Sequence, residues 1–241
     1  SSMQLLDLTL PAVVENLALD EALLEAAESG ELTGEVLRLW ESSQTAVVLG
    51  RASCWQDESS VAACRDDRIE VVRRASGGAA VMIGRGCLMY ALILDLSLRP
   101  ELANIDAAHQ WVMQRLLAAI RPLVSDVEFQ GTCDLTYRQR KFSGNSLRCK
   151  RGHLLYHGTI LYDFPVPLLT RYLGTPPRQP AYRAGRGHEE FVTNLPVDVG
   201  QLRAHLQQAF AVQGSLSEWP QARTSELAST RYQSLAWNQA R

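Results

Sequence analysis

The sequence predicts an α+β fold in which helices flank a mixed, largely antiparallel β-sheet. Short apolar, β-branched runs at 35–40 and 45–49 lie only one turn apart, a spacing typical of strands that follow one another in a hairpin-rich sheet. Longer segments at 15–29 and 104–120 instead carry apolar residues at helical spacing. The sequence has no internal repeat and no low-complexity linker, so we expect a single domain over residues 4–241.

Local signals support the individual elements. The helix over 15–29 ends at Gly30, a residue suited to a left-handed cap. The helix over 104–120 begins at a polar cap, Asn104 or Asp106, and the nearly continuous apolar run 87–96 predicts a central strand. The other predicted elements are a helix over 57–65, strands at 69–73 and within 131–163, helices near 166–173 and 199–212, and a short helix within 225–238.

Composition favours a globular protein of a reducing compartment. The chain has 241 residues, of which 46% are apolar, but it lacks an 18-residue apolar run and a secretory signal before Leu5. We interpret Ser1-Ser2-Met3 as an expression remnant. Five cysteines without a C-x-x-C pair favour the cytoplasm over a disulfide framework. Cys149, His153 and His157 lie four residues apart, but their surroundings indicate a strand, so we expect no zinc site.

Charge is distributed unevenly along the chain. Residues 1–60 carry 2 basic and 11 acidic side chains, a net of −9, whereas residues 131–190 carry 10 basic and 4 acidic ones, a net of +6. A basic segment on a protein of net charge −2 indicates an anionic ligand or an acidic partner. We expect no nucleic acid partner, because the sequence contains no recognised nucleic-acid-binding module.

Residues 131–163 concentrate the chemically suggestive side chains. Lys141 is followed at once by Phe142-Ser143-Gly144, and His157-Gly158-Thr159 comes sixteen residues after the lysine inside an apolar run. A lysine beside a Ser-Gly turn can place its ammonium against an anion, with backbone and hydroxyl donors nearby. A surface hairpin with a solvated lysine is the plainer alternative.

A second candidate anion site lies at 74–80, where Arg73 and Arg74 precede Ser76-Gly77-Gly78 and two alanines. Small residues let backbone N–H groups approach an anion closely, while the arginines supply fixed positive charge. The pattern is neither a P-loop nor G-x-G-x-x-G, and a plain Gly-Gly hairpin turn would look the same.

Taken in order, these stretches resemble the lipoate–protein ligase A family, within the biotin/lipoate protein ligase fold. The resemblance spans nearly the whole chain and rests on the segments 47–51 (VVLGR), 73–81 (RRASGGAAV), 131–135 (GTCDL), 140–144 (RKFSG), 156–161 (YHGTIL) and 231–238 (RYQSLAWN). A biotin ligase fits the Lys-Phe-Ser-Gly and Arg-Arg-x-Ser-Gly-Gly contexts less well.

The resemblance implies an enzyme that activates lipoate or octanoate with ATP and passes the acyl group to a lysine of a carrier protein. Lys141 matches the family lysine that contacts the acyl-phosphate oxygens, and Asp134 is the carboxylate placed for Mg²⁺. The residues matched to the substrate and adenylate site are Arg73, Arg74, Ser76, Gly77, Gly78, Ala79, Asp134, Ser143, Gly144, His157, Gly158 and Thr159.

The sequence departs from the family pattern at several positions. Ala79 replaces the third glycine of the usual triple, Ile83 replaces a frequent histidine, and Cys133 stands where asparagine is usual. Many family ligases continue into a further small C-terminal domain after the segment matched by 231–238. We expect this accessory domain to be absent here, since the sequence given ends at Arg241. Three explanations compete: the domain is a separate polypeptide, the enzyme works without it, or the enzyme does not activate the acyl group with ATP.

The main alternative is an octanoyl or lipoyl transferase that moves the acyl group between carriers through a cysteine thioester. Cys133 lies eight residues before Lys141, whose ammonium would lower the thiol pKa and favour the thiolate. A buried apolar role for Cys133 is the plainer interpretation. A non-catalytic carrier-binding protein is a further alternative, and the Pro- and Arg-rich loop 175–188 is typical of a lid or partner-binding loop.

Overall fold

The computed structural model describes residues 2–241 and contains two β-sheets with helices packed around them. The strands are β1 (Met3–Asp7), β2 (Glu35–Trp40), β3 (Ala46–Leu49), β4 (Glu70–Arg73), β5 (Val81–Ile83), β6 (Cys87–Asp95), β7 (Val127–Gln130), β8 (Asp134–Tyr137), β9 (Arg140–Cys149), β10 (His153–Leu161) and β11 (Val212–Ser215). The helices are α1 (Val13–Ser29), α2 (Trp55–Glu58), α3 (Val61–Asp66), α4 (Ile105–Ile120), α5 (Pro167–Tyr172), α6 (His188–Phe191), α7 (Val199–Ala209), α8 (Gln221–Leu227) and α9 (Leu235–Asn238).

The large sheet confirms the predicted mixed, largely antiparallel architecture. Its eight strands run in the order β11-β1-β2-β6-β10-β9-β8-β7, and only the pairs β11–β1 and β1–β2 are parallel. The predicted central strand, β6, pairs with β2 on one side and with β10 on the other. Its side chains are buried on both faces of the sheet, with Leu92 and Leu94 in one apolar cluster and Ala91 and Ile93 in another, which explains its continuous apolar sequence.

The small sheet has the order β4-β3-β5 and corrects one detail of the sequence prediction. The runs 35–40 and 45–49 are both strands, but they belong to different sheets and do not pair. The predicted helix over 57–65 is likewise divided into α2 and α3, because Ser59 forms an isolated bridge with Leu173.

Helices cover both faces of the large sheet. On one face α1 packs through Leu19, Leu23 and Leu24 against apolar residues of β2, β6 and β10. On the other face α4 and α7 enclose the largest apolar cluster, which includes Leu92 and Tyr156. Full burial of each such leucine contributes about 1.5–3 kcal/mol. Among the described residues, no helix is long and apolar enough to cross a membrane.

Local capping explains where the two long helices begin and end. The side chain of Asn104 accepts a hydrogen bond from the Ala107 N–H, as predicted for the start of α4. Gly30 ends α1 in the left-handed conformation, with a φ of 84°. The N-terminal half of α1 packs on the small sheet, where Leu17 and Val48 share an apolar cluster with Trp40. The small sheet therefore lies against the beginning of α1.

Candidate active site

A cavity with two adjoining lobes lies between the two sheets. The larger lobe, about 400 Å³, is bounded by α1, the ends of β2 and β3, and the strands β9 and β10. The smaller lobe, about 110 Å³, lies against α2, α5 and α6. The two lobes share the residues Ala79, Ala80, Val81, Lys141, Gly144, Thr159, Pro176, Arg183 and Phe191. Lys141 is therefore at their junction.

The two lobes differ in lining. Apolar side chains of the larger lobe come from Leu17, Trp40, Val48, Val81 and Met89, and its polar groups include Asp20, Arg74 and His157. The smaller lobe is mainly apolar, with Met82, Leu161, Leu169, Leu173 and Phe191 around a single carboxylate, Glu58.

Lys141 is held at the junction by a short-range ion pair. Its Nζ lies 3.1 Å from Asp134 Oδ1, across the β8–β9 pairing, where a bulge next to Phe142 shifts the register. The second oxygen of Asp134 accepts a hydrogen bond of 2.7 Å from the Tyr182 hydroxyl. A side chain at Gly144 would lie 3.1 Å from the lysine Nζ, so the glycine leaves room for the ammonium. The predicted Lys-Phe-Ser-Gly arrangement thus presents a positive charge to the cavity.

Arg74 organises the glycine turn. Its guanidinium donates to the carbonyl oxygens of Gly77 and Ala79, and its Nε donates to Ser76 Oγ at 3.1 Å. Burial lowers the pKa of Arg74 to about 10, which still leaves it charged at neutral pH. Gly78 has a φ of 94°, whereas Ala79 has no positive φ, so replacing the third glycine by alanine costs no backbone strain.

Arg73 does not line the cavity, which corrects its prediction as a substrate-binding residue. Its guanidinium is fully buried and donates to the carbonyl oxygens of Gly50, Ser53 and Trp237. Because Arg73 and Arg74 are adjacent at the end of an extended strand, their side chains point in opposite directions. Arg73 joins the C-terminal segment to the small sheet, a structural role.

His157 belongs to a buried chain of polar groups along the larger lobe. Its Nδ1 lies 3.0 Å from Asp20 Oδ2, and Asp20 Oδ1 pairs with Arg38 at 2.8 Å. With Nδ1 donating to Asp20, Nε2 is free to accept the Ser76 hydroxyl within hydrogen-bonding distance. Burial alone would raise the pKa of Asp20, but Arg38 and His157 together hold it below its usual value. This chain connects α1 to the glycine turn.

Gly158 allows β9 to approach β10 closely beside the cavity. A Cβ at this position would lie 2.0 Å from Asn145 Oδ1 and 2.6 Å from the Gly144 carbonyl oxygen. Asn145 in turn donates 2.9 Å to the Cys133 carbonyl and accepts from the Tyr90 hydroxyl. Only glycine fits between these groups, which explains the His-Gly-Thr pattern physically.

Cys133 lines the larger lobe, but its surroundings disfavour a thiolate. Burial and the neighbouring Asp134 raise the pKa of this thiol to about 11, although Lys141 lowers it in part. Its Sγ lies 2.9 Å from the Asn145 carbonyl oxygen, a contact that the protonated thiol can make as a donor. Lys141 does lower the thiol pKa, as expected, but burial outweighs this single nearby charge and the thiolate is not favoured.

The structure brings most of the predicted site residues to one cavity. Those that line it are Arg74, Gly78, Ala79, Cys133, Asp134, Lys141, Ser143, Gly144, His157, Gly158 and Thr159. Ser76 and Gly77 lie behind the lining and support the turn. Ile83, where the family often has histidine, is fully buried in an apolar cluster.

Several residues of the cavity lining were not predicted from the sequence, namely Asp20, Glu58, Asn145 and Arg183. Asp20 left a signal, since it interrupts the apolar side of the α1 pattern three residues after Leu17. Arg183 lies in the Pro- and Arg-rich loop 175–188, whose composition was a signal, whereas Glu58 left none because it reaches the cavity from a short helix.

The described residues contain no cluster of three or more His, Cys, Asp or Glu side chains suited to a metal ion. Magnesium in ATP sites usually takes one or two carboxylates together with phosphate oxygens and water. Asp134 matches such a ligand in type and place, but its oxygens are engaged by Lys141 and Tyr182. Each oxygen keeps a second lone pair, so Asp134 could also accept Mg²⁺ beside these contacts.

Solved structures define the class of fold. A bi-partite lipoate protein ligase with its E2 lipoyl domain from Thermoplasma acidophilum matches at a TM-score of 0.83 and 20% identity, over 99% of this chain and 96% of that one. A lipoate-protein ligase A bound with ATP matches at a TM-score of 0.80 and 20% identity, over 99% of both chains. The fold is therefore that of lipoate ligase catalytic domains.

The family follows from the sequence. The model of the lipoyl protein ligase A/B catalytic domain matches residues 12–211, and the chain belongs to this family. A probable lipoate-protein ligase A of Mycoplasma genitalium is 30% identical over 159 residues, which are 66% of this chain and 45% of that protein. This chain thus matches less than half the length of this curated relative.

Proposed function

We propose that the protein is an ATP-dependent lipoate (or octanoate)–protein ligase that forms an acyl-adenylate and transfers the acyl group to a carrier lysine. The main support for this proposal is the position of Lys141, which lines both lobes of one cavity. Such an arrangement suits two substrates that must react with each other at a shared cation.

The larger lobe suits the acyl chain. Leu17, Trp40, Val48 and Met89 provide an apolar lining for an aliphatic tail, while the carboxylate end would lie toward Lys141. The buried chain of Ser76, His157 and Asp20 has its hydrogen bonds satisfied internally, so it shapes the wall without demanding a charged ligand.

Adenylation and transfer both develop negative charge near the junction. In the first step a carboxylate oxygen attacks the α-phosphorus of ATP, and pyrophosphate leaves with the electron pair of the broken bond. In the second step the neutral lysine amine of the carrier attacks the acyl carbon and loses a proton as the amide forms, and AMP leaves with the electron pair of the broken carbon–oxygen bond. The ammonium of Lys141, aided by donors of the glycine turn that Arg74 holds, stabilises the charge on phosphate and acyl oxygens.

Mg²⁺ would enter with the phosphates of ATP, as part of the substrate, and would neutralise their charge. Asp134 is the carboxylate beside Lys141 that could bind this ion through a remaining lone pair. The ATP-bound ligase of the same fold supports nucleotide as a substrate.

The carrier is proposed to be a lipoyl-accepting protein or domain. The net charge of +6 over residues 131–190 would attract an acidic carrier toward the segment that bears Lys141. The matching archaeal ligase is described as bi-partite and with its E2 lipoyl domain, which supports both a lipoyl carrier and a separate accessory polypeptide.

The transferase alternative keeps one supporting observation, the exposure of Cys133 to the larger lobe. Its raised pKa leaves little thiolate at neutral pH, so we place the thioester mechanism second. An octanoyl carrier incubated with the protein would add an acyl mass to Cys133 under that mechanism.

Pyrophosphate release separates the two reactions. The protein is incubated with lipoate, ATP and Mg²⁺, with and without a candidate accessory polypeptide, and pyrophosphate is measured. The ligase predicts release that requires both lipoate and ATP. No release in either condition, together with transfer from an octanoyl carrier, would contradict the proposal and support the transferase.

A further inference from the structure

Glu58 places a buried carboxylate in the wall of the smaller lobe. It ends the short helix α2 and is only 4% exposed. The other side chains of the lobe are mainly apolar, and its cationic side chains are Lys141 and Arg183. Burying a carboxylate beside apolar groups is unfavourable unless donors satisfy its oxygens. Its environment therefore indicates a specific task.

Within residues 2–241 the two oxygens of Glu58 have different partners. Oε1 accepts a hydrogen bond of 3.1 Å from the Ala80 N–H, at the end of the glycine turn. Oε2 accepts no hydrogen bond from the described residues. It is also absent from the buried side-chain atoms that lack a partner, so part of its surface is accessible to a ligand. One oxygen fixes the turn and the other is free to accept from a ligand.

The ligand group that enters the smaller lobe follows from the reaction proposed above. The reacting phosphorus must lie near Lys141 while the acyl chain occupies the larger lobe, so the nucleoside has to extend toward the smaller lobe. There Met82, Leu161 and Phe191 offer flat apolar surface for a planar base.

We propose that Glu58 Oε2 accepts a hydrogen bond from the exocyclic amino group of the nucleotide base, so that the smaller lobe selects a 6-aminopurine. This inference rests on the proposed function, since it concerns the base of the nucleotide used there. A carboxylate can only accept, so a 6-oxo purine would place a carbonyl oxygen against it, and an unsubstituted purine would leave Oε2 unpaired.

The test compares ATP with inosine triphosphate and purine riboside triphosphate. Pyrophosphate release is measured for the wild type and for Glu58→Gln, whose amide oxygen can keep the Ala80 contact while its NH2 group presents a donor. We expect kcat/KM in the wild type to favour ATP over purine riboside triphosphate by about 10- to 100-fold, the range for a hydrogen bond to a charged group. Glu58→Gln should lose that preference and gain relative activity with inosine triphosphate, because a donor now faces the 6-oxo group.

Controls separate this result from a folding defect or a ribose contact. Glu190→Gln, on the exposed surface of α6, should leave the nucleotide preference unchanged. Thermal melting shows whether Glu58→Gln is folded. If it is not, the test is calorimetric binding of the three nucleotides to the wild type, and equal affinities would overturn the inference. The wild type could instead discriminate against 2′-deoxy-ATP and show no base preference. If Glu58→Gln loses that discrimination, Glu58 contacts the ribose and the inference is overturned.

Two outcomes distinguish the inference from the proposed function. ATP-dependent pyrophosphate release with an unchanged ATP preference in a folded Glu58→Gln would overturn the role of Glu58 alone. No binding of any of the three nucleotides by calorimetry would overturn both.

Discussion

The buried carboxylates of the two lobes differ in how fully their oxygens are paired. In the larger lobe Asp20 and His157 are already paired with each other and with Arg38 and Ser76. In the smaller lobe Glu58 keeps one oxygen without a partner among the described residues. Internally paired groups stabilise a shape, whereas unpaired ones select a ligand. We therefore expect substitutions in the larger lobe to change stability most, and those at the junction and in the smaller lobe to change activity and specificity.

Asp20→Ala should give the largest loss of stability. It removes the carboxylate that pairs with Arg38 and His157, leaving a fully buried guanidinium without its counter-charge. Breaking such a pair typically costs about 3–5 kcal/mol of the free energy of unfolding. Urea denaturation measures it, with Asp7→Ala as control because Asp7 pairs with Arg203 on the surface.

The loss from Asp20→Ala should also depend on pH. The folded-state pKa of Asp20 is depressed, so its stabilisation is present above the unfolded pKa of about 3.9 and fades as the pH falls through the lower folded value. A gap between wild type and variant that is unchanged under strongly acidic conditions would contradict this account of the ion pair.

Lys141→Ala should leave the fold intact and remove most of the activity. Its pair with Asp134 is partly exposed and contributes little stability, whereas its ammonium lies at the junction of the two lobes, where the proposed reaction develops negative charge. We expect a loss of about 10²–10³-fold in the rate of pyrophosphate release. Lys150→Ala is the matched control, because Lys150 is the only other lysine and lies at the β9–β10 turn, outside the cavity lining. Similar rates in the two variants would refute the role of Lys141.

The sequence predicted some of these features because local patterns carry them. Apolar spacing and an Asn104 cap predicted α4, and the motif around Lys141 predicted a cation at the site. The pairing of β2 with β6 rather than with β3 could not be predicted, since partner choice depends on contacts far apart in the chain.

The adjacent residues Arg73 and Arg74 show that a sequence motif does not reveal which of its side chains faces the cavity. Both were assigned to the substrate site, but alternation along a strand allows only Arg74 to face it. The thiol of Cys133 shows a second limit, because its pKa is set mainly by burial that the sequence does not reveal.

Gly158→Ala should destabilise the protein by a smaller amount. The added Cβ would overlap Asn145 and the Gly144 carbonyl oxygen, so β9 and β10 would have to separate beside the larger lobe. Overpacking of this kind costs typically 1–3 kcal/mol. Gly214→Ala, where no atom lies within 4 Å of the added Cβ, should be nearly neutral in the same denaturation assay. Equal stability of the two variants would show that the close approach at Gly158 is unimportant.

Cys133→Ser should give the smallest effect. A serine hydroxyl can also donate to the Asn145 carbonyl oxygen, and a thiol whose pKa is raised to about 11 supplies little nucleophile at neutral pH. We expect wild-type ATP-dependent rates in a pyrophosphate assay. Loss of activity together with an acyl adduct on Cys133, detected by mass spectrometry of the wild type, would instead support the transferase.

The central claim is that one cavity holds an acyl group and an adenylate on either side of Lys141. Calorimetric titration with a non-hydrolysable acyl-sulfamoyl adenosine, which joins both parts, tests it most directly. We predict one-to-one binding that is much tighter than that of lipoate or AMP alone, because the joined ligand fills both lobes at once. Binding no tighter than that of lipoate alone would contradict the account.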